Sequence, residues 1–437
     1  MATKLVNKHA AGIDISSKEY VVAVPEDRCE NSIRSFGAFT CDLHKIAKWL
    51  QECKVTTIAM ESTGVYWYHL YTVLLDYDFQ VYLVNAHHVK NVAGRKSDIN
   101  DARWLQELHT FGLLKGSFQP DNLTRSLRTY VRERKNVIQE MTRATQHMQK
   151  ALEQMNIKLN NVLRNITGLT GIKIITQILA GERCAEMLAK NREKNVRASE
   201  QTLIKSLEGN WREEQLFNLQ LAFDHYNFLL SQLPKIDAAC EKVIKKFAVV
   251  SAQKATSVQK SKNNPAFNVS QYLYNVLGVE VTKVYGIKEI TALTIYSETG
   301  PNLKAKFPAE KQFLSWLNVV PDNKITGGKI IYSKVKRKKN KAGQAFRDAA
   351  SALWRAQNPM GDYLRRKKAK NGARQAVVAT ARKIAAIYYK MVTQKVEFDP
   401  ACEKLKTKVF LENKLKDIER LKNSIESQLA DYQDAVA

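Results

Sequence analysis

Ala11-Gly12-Ile13-Asp14-Ile15, then Tyr20-Val21-Val22-Ala23-Val24, then Ser32 to Phe39 are three short runs, apolar or alternating, with turn residues between them. They predict three strands in a meander. A helix is expected from about Asp42 to Glu52, with Leu43, Ile46, Ala47 and Leu50 on one face and Asp42 or Thr40 as its cap. A strand (Val55 to Met60), a helix (about Val65 to Asp76) and another strand (Phe79 to Asn85) follow. After a polar loop rich in Lys, Asn and Gly, a further helix starts near Ser97.

Three strands, then alternating helix and strand, is the element order of a ribonuclease-H-like α/β fold, an analogy of order alone. The rest of the chain reads as α. From Arg125 to Arg164 apolar residues recur at helical spacing with no Pro or Gly among them, which predicts one helix about 60 Å long. A second long helix is expected from about Glu200 to Val249, kinked at Pro234. Two such helices suggest a long antiparallel coiled-coil arm or a dimerising stalk. Ser251 to Ser270 has linker composition. Between Leu405 and Tyr432, Leu411, Leu415, Ile418, Ile425, Leu429 and Tyr432 form a heptad seam with Lys422 at a core position. The expected organisation is an α/β domain over 1–120, a helical arm and linker over 121–275, a helical basic domain over 276–400 and a C-terminal helix over 401–437. Either helical region could carry self-association.

Charge narrows the function. The 437 residues carry 69 Lys and Arg against 43 Asp and Glu, a net +26. Residues 1–120 are balanced at 13 of each sign, whereas residues 301–400 carry 23 basic groups against 6 acidic ones. Such a block repels itself, and a polyanion relieves the repulsion; an anionic membrane fits less well, because the block is not a clean amphipathic helix. No apolar run approaches the ~18 residues of a membrane span, and the first twelve residues have no apolar core of signal-peptide length. The six cysteines include no C-x-x-C pair, so neither a zinc site nor a disulfide framework is signalled. A reducing, cytoplasmic setting without a membrane is expected.

Four acids stand where this fold order would use them. Asp14 lies inside an apolar strand, where a carboxylate is costly unless paired or bound to metal. Glu61 ends the next apolar strand, and Asp98 and Asp101 are three apart at a helix start. Together they could hold Mg²⁺ against a phosphate for phosphoryl transfer. The plainer alternatives make Asp98 an N-cap, Asp101 a partner of the helix dipole and Glu61 a loop residue.

A second candidate is Pro321-Asp322-Asn323-Lys324-Ile325-Thr326-Gly327-Gly328-Lys329, a hydroxyl before two glycines with cations on both sides. Alone, Thr-Gly-Gly is as readily a turn, and it is not a Walker A loop. Lys334, Lys336, Arg337, Lys338, Lys339, Lys341 and then Arg347 continue the basic run as candidate nucleic-acid contacts. Gly171-Ile172-Lys173 and Gly286-Ile287-Lys288 share a G-I-K-x-I-T pattern. It reads either as a phosphate-gripping turn at a helix N-terminus or as two helix starts that need a glycine.

The order of these motifs resembles a known family. Gly12-Ile13-Asp14, Met60-Glu61-Ser62-Thr63-Gly64 and Lys96-Ser97-Asp98-Ile99-Asn100-Asp101-Ala102-Arg103 are similar to the Asp-Glu-Asp-Asp signature of the DEDD insertion-sequence transposases, the bridge-RNA-guided recombinases related to the pilin-gene invertase. Val284-Tyr285-Gly286-Ile287-Lys288 to Glu298-Thr299-Gly300 resembles the family's helix-hairpin-helix, and Phe313 to Lys329 with Asn340-Lys341-Ala342-Gly343 its transposase domain. The likeness covers about 1–170 and 276–400.

The resemblance implies a RuvC-like domain whose Asp14, Glu61, Asp98 and Asp101 hold Mg²⁺, a coiled coil, and a nucleophilic hydroxyl that forms a covalent 5′-phosphate bond with DNA. It further implies a structured noncoding RNA that pairs with target and donor DNA, a homo-oligomer from dimer to tetramer, and a prokaryotic, nucleoid-associated setting. Two positions depart from the pattern. Thr326 stands where the family has serine, so threonine is the nucleophile, the chain is inactivated, or Ser333 or Ser315 substitutes. Lys288 stands where the family often has glycine. The reading is an RNA-guided DNA transposase or recombinase. Its rivals are a Holliday-junction-type metal-dependent nuclease, which needs no Thr326, and a catalytically inactive ribonucleoprotein component.

Overall fold

The computed structural model describes residues 5–84, 98–251, 253, 255, 263–335 and 340–434, with backbone alone at 98–100, 406 and 430–434. The chain forms two compact units that meet at Gln119 and Pro120 in sequence.

The first unit is a mixed α/β layer. Its elements in chain order are β1 (Ala10–Ile15), β2 (Glu19–Ala23), β3 (Ile33–Gly37), α1 (Thr40–Glu52), β4 (Thr57–Glu61), α2 (Trp67–Asp76), β5 (Gln80–Val84) and α3 (Asp98–Thr110). The strand order is β3-β2-β1-β4-β5, with β1, β2 and β3 antiparallel and β1, β4 and β5 parallel. The near-continuous apolar character of β1 follows from its central place, covered on both faces. Ala11, Ile13 and Ile15 join Ile58 and Met60 of β4 in a core with Leu43, Ile46 and Leu50 of α1 and Leu70 and Leu74 of α2. On the opposite face Val21 and Ala23 of β2 pack on Ala102 of α3.

The cap expected at Asp42 or Thr40 is not formed. Phe39 is the N-cap of α1 and makes no side-chain capping bond, while Asp42, in the first turn, pairs with Lys45 at 2.8 Å.

Among its described residues the second unit is helical apart from one hairpin. It opens with α4 (Asn122–Gln154), followed by α5 (Leu159–Val162), α6 (Leu169–Leu179), α7 (Ala185–Ala189), α8 (Glu200–Leu207), α9 (Glu213–Ile244) and α10 (Val269–Leu277). Then come α11 (Glu289–Thr299), α12 (Leu303–Lys306), α13 (Glu310–Trp316), the strands β6 (Pro321–Thr326) and β7 (Lys329–Val335), α14 (Lys341–Ser351), α15 (Pro359–Asn371), α16 (Ala373–Gln394) and α17 (Pro400–Asp434).

Both long helices are shorter than their periodicity predicts. Asn156 adopts φ 58, a left-handed step that ends α4 two residues earlier, and α5 restarts the helical run. The stretch from Glu200 is two helices, broken at Gly209, where a β-carbon would lie 2.7 Å from the Met155 carbonyl oxygen. The chain there must pass too close to the end of α4 for any side chain. α9 runs on through Pro234.

α4 and α9 lie antiparallel. Arg134 near the start of one meets Asp237 near the end of the other at 2.6 Å. At the far end Met148 and Ala151 share a core with Leu219 and Ala222. Around α11 the aromatic rings of Tyr296, Phe313, Phe346 and Tyr388 are fully buried and fix how the C-terminal helices pack. Of the expected linker, residues 252, 254 and 256–262 lie outside the described residues, and α10 begins inside its far end.

Candidate active site

Strand register puts the first two acids side by side. Ile13 of β1 pairs with Met60 of β4, and Asp14 and Glu61 are the next residue on each strand. Neighbouring parallel strands lie about 4.8 Å apart and paired residues share a face. Asp14 Oδ1 accepts from the Ile15 amide at 2.9 Å, and Glu61 Oε1 accepts from Thr63 Oγ1 at 3.1 Å. Both residues are half-buried.

The third element is α3, whose position is fixed by a close approach. A β-carbon on Gly12 would lie 2.3 Å from both the Ala102 carbonyl oxygen and the Gln106 amide nitrogen, so α3 rests directly on β1 at Gly12. Gly12 and Asp14 point to the same face because side chains alternate along a strand. The direction of α3 follows from its other end, where His109 hydrogen-bonds Thr57 Oγ1, at the start of β4, at 2.8 Å. Moving from Thr57 to Glu61 along β4 is therefore moving from His109 back toward Asp98 along α3. Two strand residues advance about 6.6 Å, equal to about four helical residues. The first turn of α3, with Asp98 and Asp101, thus lies at the level of Asp14 and Glu61.

Asp101 is half-buried; the side chain of Asp98, Lys96 and Ser97 lie outside the described residues. Among the described residues no group of three or more His, Cys, Asp or Glu side chains forms a metal cluster. The donor set that register and helix direction bring to one edge is all carboxylate, the oxygen chemistry that Mg²⁺ prefers.

His109 also sets a pH response. Burial pushes its imidazole down to about 4 from the ordinary 6.5, so it stays neutral in the folded unit. Between pH 6.5 and 4 the unfolded chain binds a proton that the folded chain refuses, and stability falls as pH falls through that window, by up to about 3 kcal/mol. His109→Gln should flatten this slope in thermal melts taken from pH 7 to pH 4.5. An unchanged slope would place its source elsewhere.

The second candidate site is the tip of the β6–β7 hairpin. Gly327 and Gly328 have φ 54 and 75, the pair of left-handed residues that a tight two-residue hairpin turn requires. Thr326 pairs directly with Lys329, Lys324 with Tyr332 and Asp322 with Lys334, while the register shifts between Lys324 and Ile325. Opposed residues share a face, so Thr326, Lys324, Lys329, Tyr332, Lys334 and Asp322 lie on one side of the hairpin, with Asp322 and Lys334 farthest from the tip. Lys334 Nζ is 5.5 Å from the centre of the Tyr332 ring. Ile325 and Ile330 form the opposite face, which also carries Ser333, paired with Asn323. Every residue from Pro321 to Lys334 is exposed. This face presents one aliphatic hydroxyl beside three ammonium groups, the Tyr332 phenol and, away from the tip, the Asp322 carboxylate, and Ser333 lies on the other face.

The remaining candidates divide. Lys288 and Lys341 are exposed at the starts of α11 and α14, whereas Lys336, Arg337, Lys338 and Lys339 lie outside the described residues. Arg347 is half-buried and donates to the Asn318 carbonyl at 2.6 Å, a contact that ties α14 to the segment before β6.

The two G-I-K-x-I-T copies are not equivalent. Gly171 sits inside the first turn of α6, where a β-carbon would lie 2.1 Å from the Ile166 carbonyl oxygen. Gly286 precedes α11 with φ 87, 2.5 Å from the Ala349 carbonyl by the same measure. Behind it Glu289, at the first turn of α11, is buried and accepts from Ser270 Oγ at 2.8 Å and Asn264 Nδ2 at 2.6 Å. Both glycines are accounted for by close packing.

Sequence reasoning missed Glu298 as a structural anchor. It is buried and takes both Nε and Nη2 of Arg132, at 2.8 and 2.9 Å, with Arg128 at 3.2 Å. Two arginines a helical turn apart on α4 were the available signal. Asn340 is similar: it caps α14 through the Gly343 amide and donates to the Trp316 carbonyl.

Residues 11–157 match a family model described as a transposase, the DEDD type of the IS110 group. Residues 280–365 match one described as a transposase of the IS116/IS110/IS902 family. Together the matches cover more than half of the chain. No curated protein matches it.

Proposed function

Since the chain belongs to the IS110 family of DEDD transposases, we propose that it is an RNA-guided DNA recombinase that cuts and rejoins strands through Thr326, assisted by a carboxylate Mg²⁺ site. The observation that carries this is the placement of Asp14 and Glu61 on adjoining strand ends under the first turn of α3. The strand order β3-β2-β1-β4-β5 supports a ribonuclease-H-like, RuvC-like domain, and the antiparallel α4–α9 pair supports a coiled-coil arm.

Asp14, Glu61, Asp98 and Asp101 would hold the metal, which when bound supplies positive charge to offset the charge of the reacting phosphate. The protein's own groups do the rest. Lys324, Lys329 and Lys334 draw the phosphodiester to the hairpin face. Thr326 Oγ forms the new bond to phosphorus, the bond from phosphorus to the 3′ oxygen breaks, and the hydroxyl proton ends on that oxygen. The product is a threonine 5′-phosphate ester and a free 3′-hydroxyl; rejoining is the reverse step. The family resemblance supports assembly of the site within an oligomer, from dimer to tetramer, in which one subunit's acids meet another's hydroxyl. DNA, as donor and target, and a structured noncoding RNA are the partners, and the basic block is where they bind. No helix among the described residues is long and apolar enough to cross a membrane.

Asp14→Asn keeps the side chain's size and removes its charge. It should lower strand cleavage on the order of 10³-fold while leaving RNA and DNA binding intact in gel-shift assays. Full recombination by this variant would favour a ribonucleoprotein scaffold. RNA guidance is read separately, by sequencing nucleic acid that copurifies when flanking element DNA is present. A discrete RNA mapping beside the gene is expected; random host RNA would remove that part of the reading.

A further inference from the structure

The C-terminal helix α17 lies beyond both matched regions, and among the described residues most of its side chains are exposed. Its first turns are anchored: buried Glu403 pairs with Lys383 at 2.7 Å, and the Arg366 guanidinium sits 4.0 Å over the Phe410 ring. From Lys408 to Leu429 every side chain is exposed. Helices in proteins owe most of their stability to a packed face. This one has such a face, and it is exposed from Lys408 to Leu429 with no partner for it among the described residues.

Positions 411, 415, 418, 422, 425, 429 and 432 alternate steps of four and three, a 3.5-residue period that marks a two-stranded seam. Leu411, Leu415, Ile418, Ile425 and Leu429 occupy five of them, each 48% to 59% exposed. The flanking charges choose the partner and its direction. The residue after each of 411, 418 and 425 is acidic: Glu412, Glu419 and Glu426. In an antiparallel pair of identical helices these positions face one another, so glutamate meets glutamate in each layer. In a parallel, in-register pair they face the residues that precede 415 and 422 on the partner helix. Lys414 then meets Glu419, and Leu421 lies over Glu426, so no like charges are opposed across these flanks. Lys422, at the seam itself, pairs along its own helix with Glu426 at 3.6 Å. Its long stem can carry the ammonium out of a two-stranded seam, and a single lysine at such a position fixes register and strand number at a cost in stability.

We propose that α17 is a self-association element: two copies of this chain pair in parallel and in register through Leu411, Leu415, Ile418, Ile425 and Leu429. This rests on the oligomeric part of the functional reading and on none of its chemistry. It gives the oligomer a surface separate from the acids and from the Thr326 hairpin.

The test uses the full chain, freed of nucleic acid by nuclease and high salt, with molar mass measured by light scattering. Ile418→Asp combined with Ile425→Asp should at least halve the mass, with no fall in the main thermal transition, because both positions are exposed. An unchanged mass overturns the proposal. Direction is read by oxidative cross-linking with the exposed Cys41, Cys184 and Cys402 replaced by Ser. Leu411→Cys alone and Leu429→Cys alone should each form an interchain disulfide. Cross-linking only when the two variants are mixed would mean antiparallel pairing and would equally overturn it. Because mass and cross-links are measured without DNA, their failure is distinguishable from failure of the recombinase reading.

Discussion

Thr326→Ala should abolish the covalent protein–DNA adduct, lowering its formation on the order of 10⁴-fold or more, as loss of an attacking hydroxyl does elsewhere. Thr326 is at an exposed hairpin tip and packs against nothing that its removal would leave empty, so melting temperature and nucleic-acid binding should stay at wild-type values. That separation makes the result interpretable. Thr326→Ser is the complementary variant. It keeps the hydroxyl and removes the β-branch that crowds the attacking oxygen and restricts its rotamer, so adduct formation should be retained or rise several-fold. Ser333 is a poor substitute, since the register sends it to the isoleucine face of the hairpin. The readout is labelled DNA retained by denatured protein. An undiminished adduct from Thr326→Ala would falsify the assignment; nicked DNA with no protein attached in the wild type would instead favour a hydrolytic nuclease.

The part of this architecture legible in the sequence was the part governed by short-range pattern. Alternation and continuous apolar runs located all five strands of the first unit to within about two residues, because each strand is covered on at least one face and the face dictates residue type. Asp14 stood out for the same reason, as a carboxylate interrupting an apolar strand. What pattern could not supply was contact between distant segments. The breaks at Asn156 and Gly209 arise where one helix end passes over another, and neither changes the helical period of the flanking sequence. The cap of α1 fails for a related reason: local preference favours Thr40 or Asp42, but the helix begins a residue early and Asp42 is engaged by Lys45. In the basic block, charge was readable but not its use. Arg347 looks like its neighbours in sequence, yet it is half-buried and bonded to a backbone carbonyl, whereas Lys324, Lys329 and Lys334 surround a hydroxyl because of a hairpin register that composition does not encode.

Gly12→Ala is expected to be the most damaging single-methyl change in the first unit. The added β-carbon would sit 2.3 Å from two backbone atoms of α3, the Ala102 carbonyl oxygen and the Gln106 amide nitrogen. An ordinary contact there is over 3 Å, and backbone cannot rotate aside as a side-chain tip can, so α3 must lift from β1 by about 1 Å. Overpacking of this kind costs about 1–3 kcal/mol, or roughly 5–15 °C in the melting of a unit of this size. The catalytic consequence should be larger than the thermal one. α3 carries Asp98 and Asp101, β1 and β4 carry Asp14 and Glu61, and Gly12 is the contact that sets the distance between the two pairs. A displacement of 1 Å at a reacting centre can lower rate on the order of 10²-fold, so cleavage should fall by at least that factor even below the lowered melting temperature. Gly181→Ala is the control, since nothing lies within 4 Å of its β-carbon, only its left-handed φ of 103 is strained, and it belongs to neither candidate site. A Gly12→Ala protein with wild-type melting and cleavage would mean that α3 does not rest on β1, and the convergence of the four acids would lose its support.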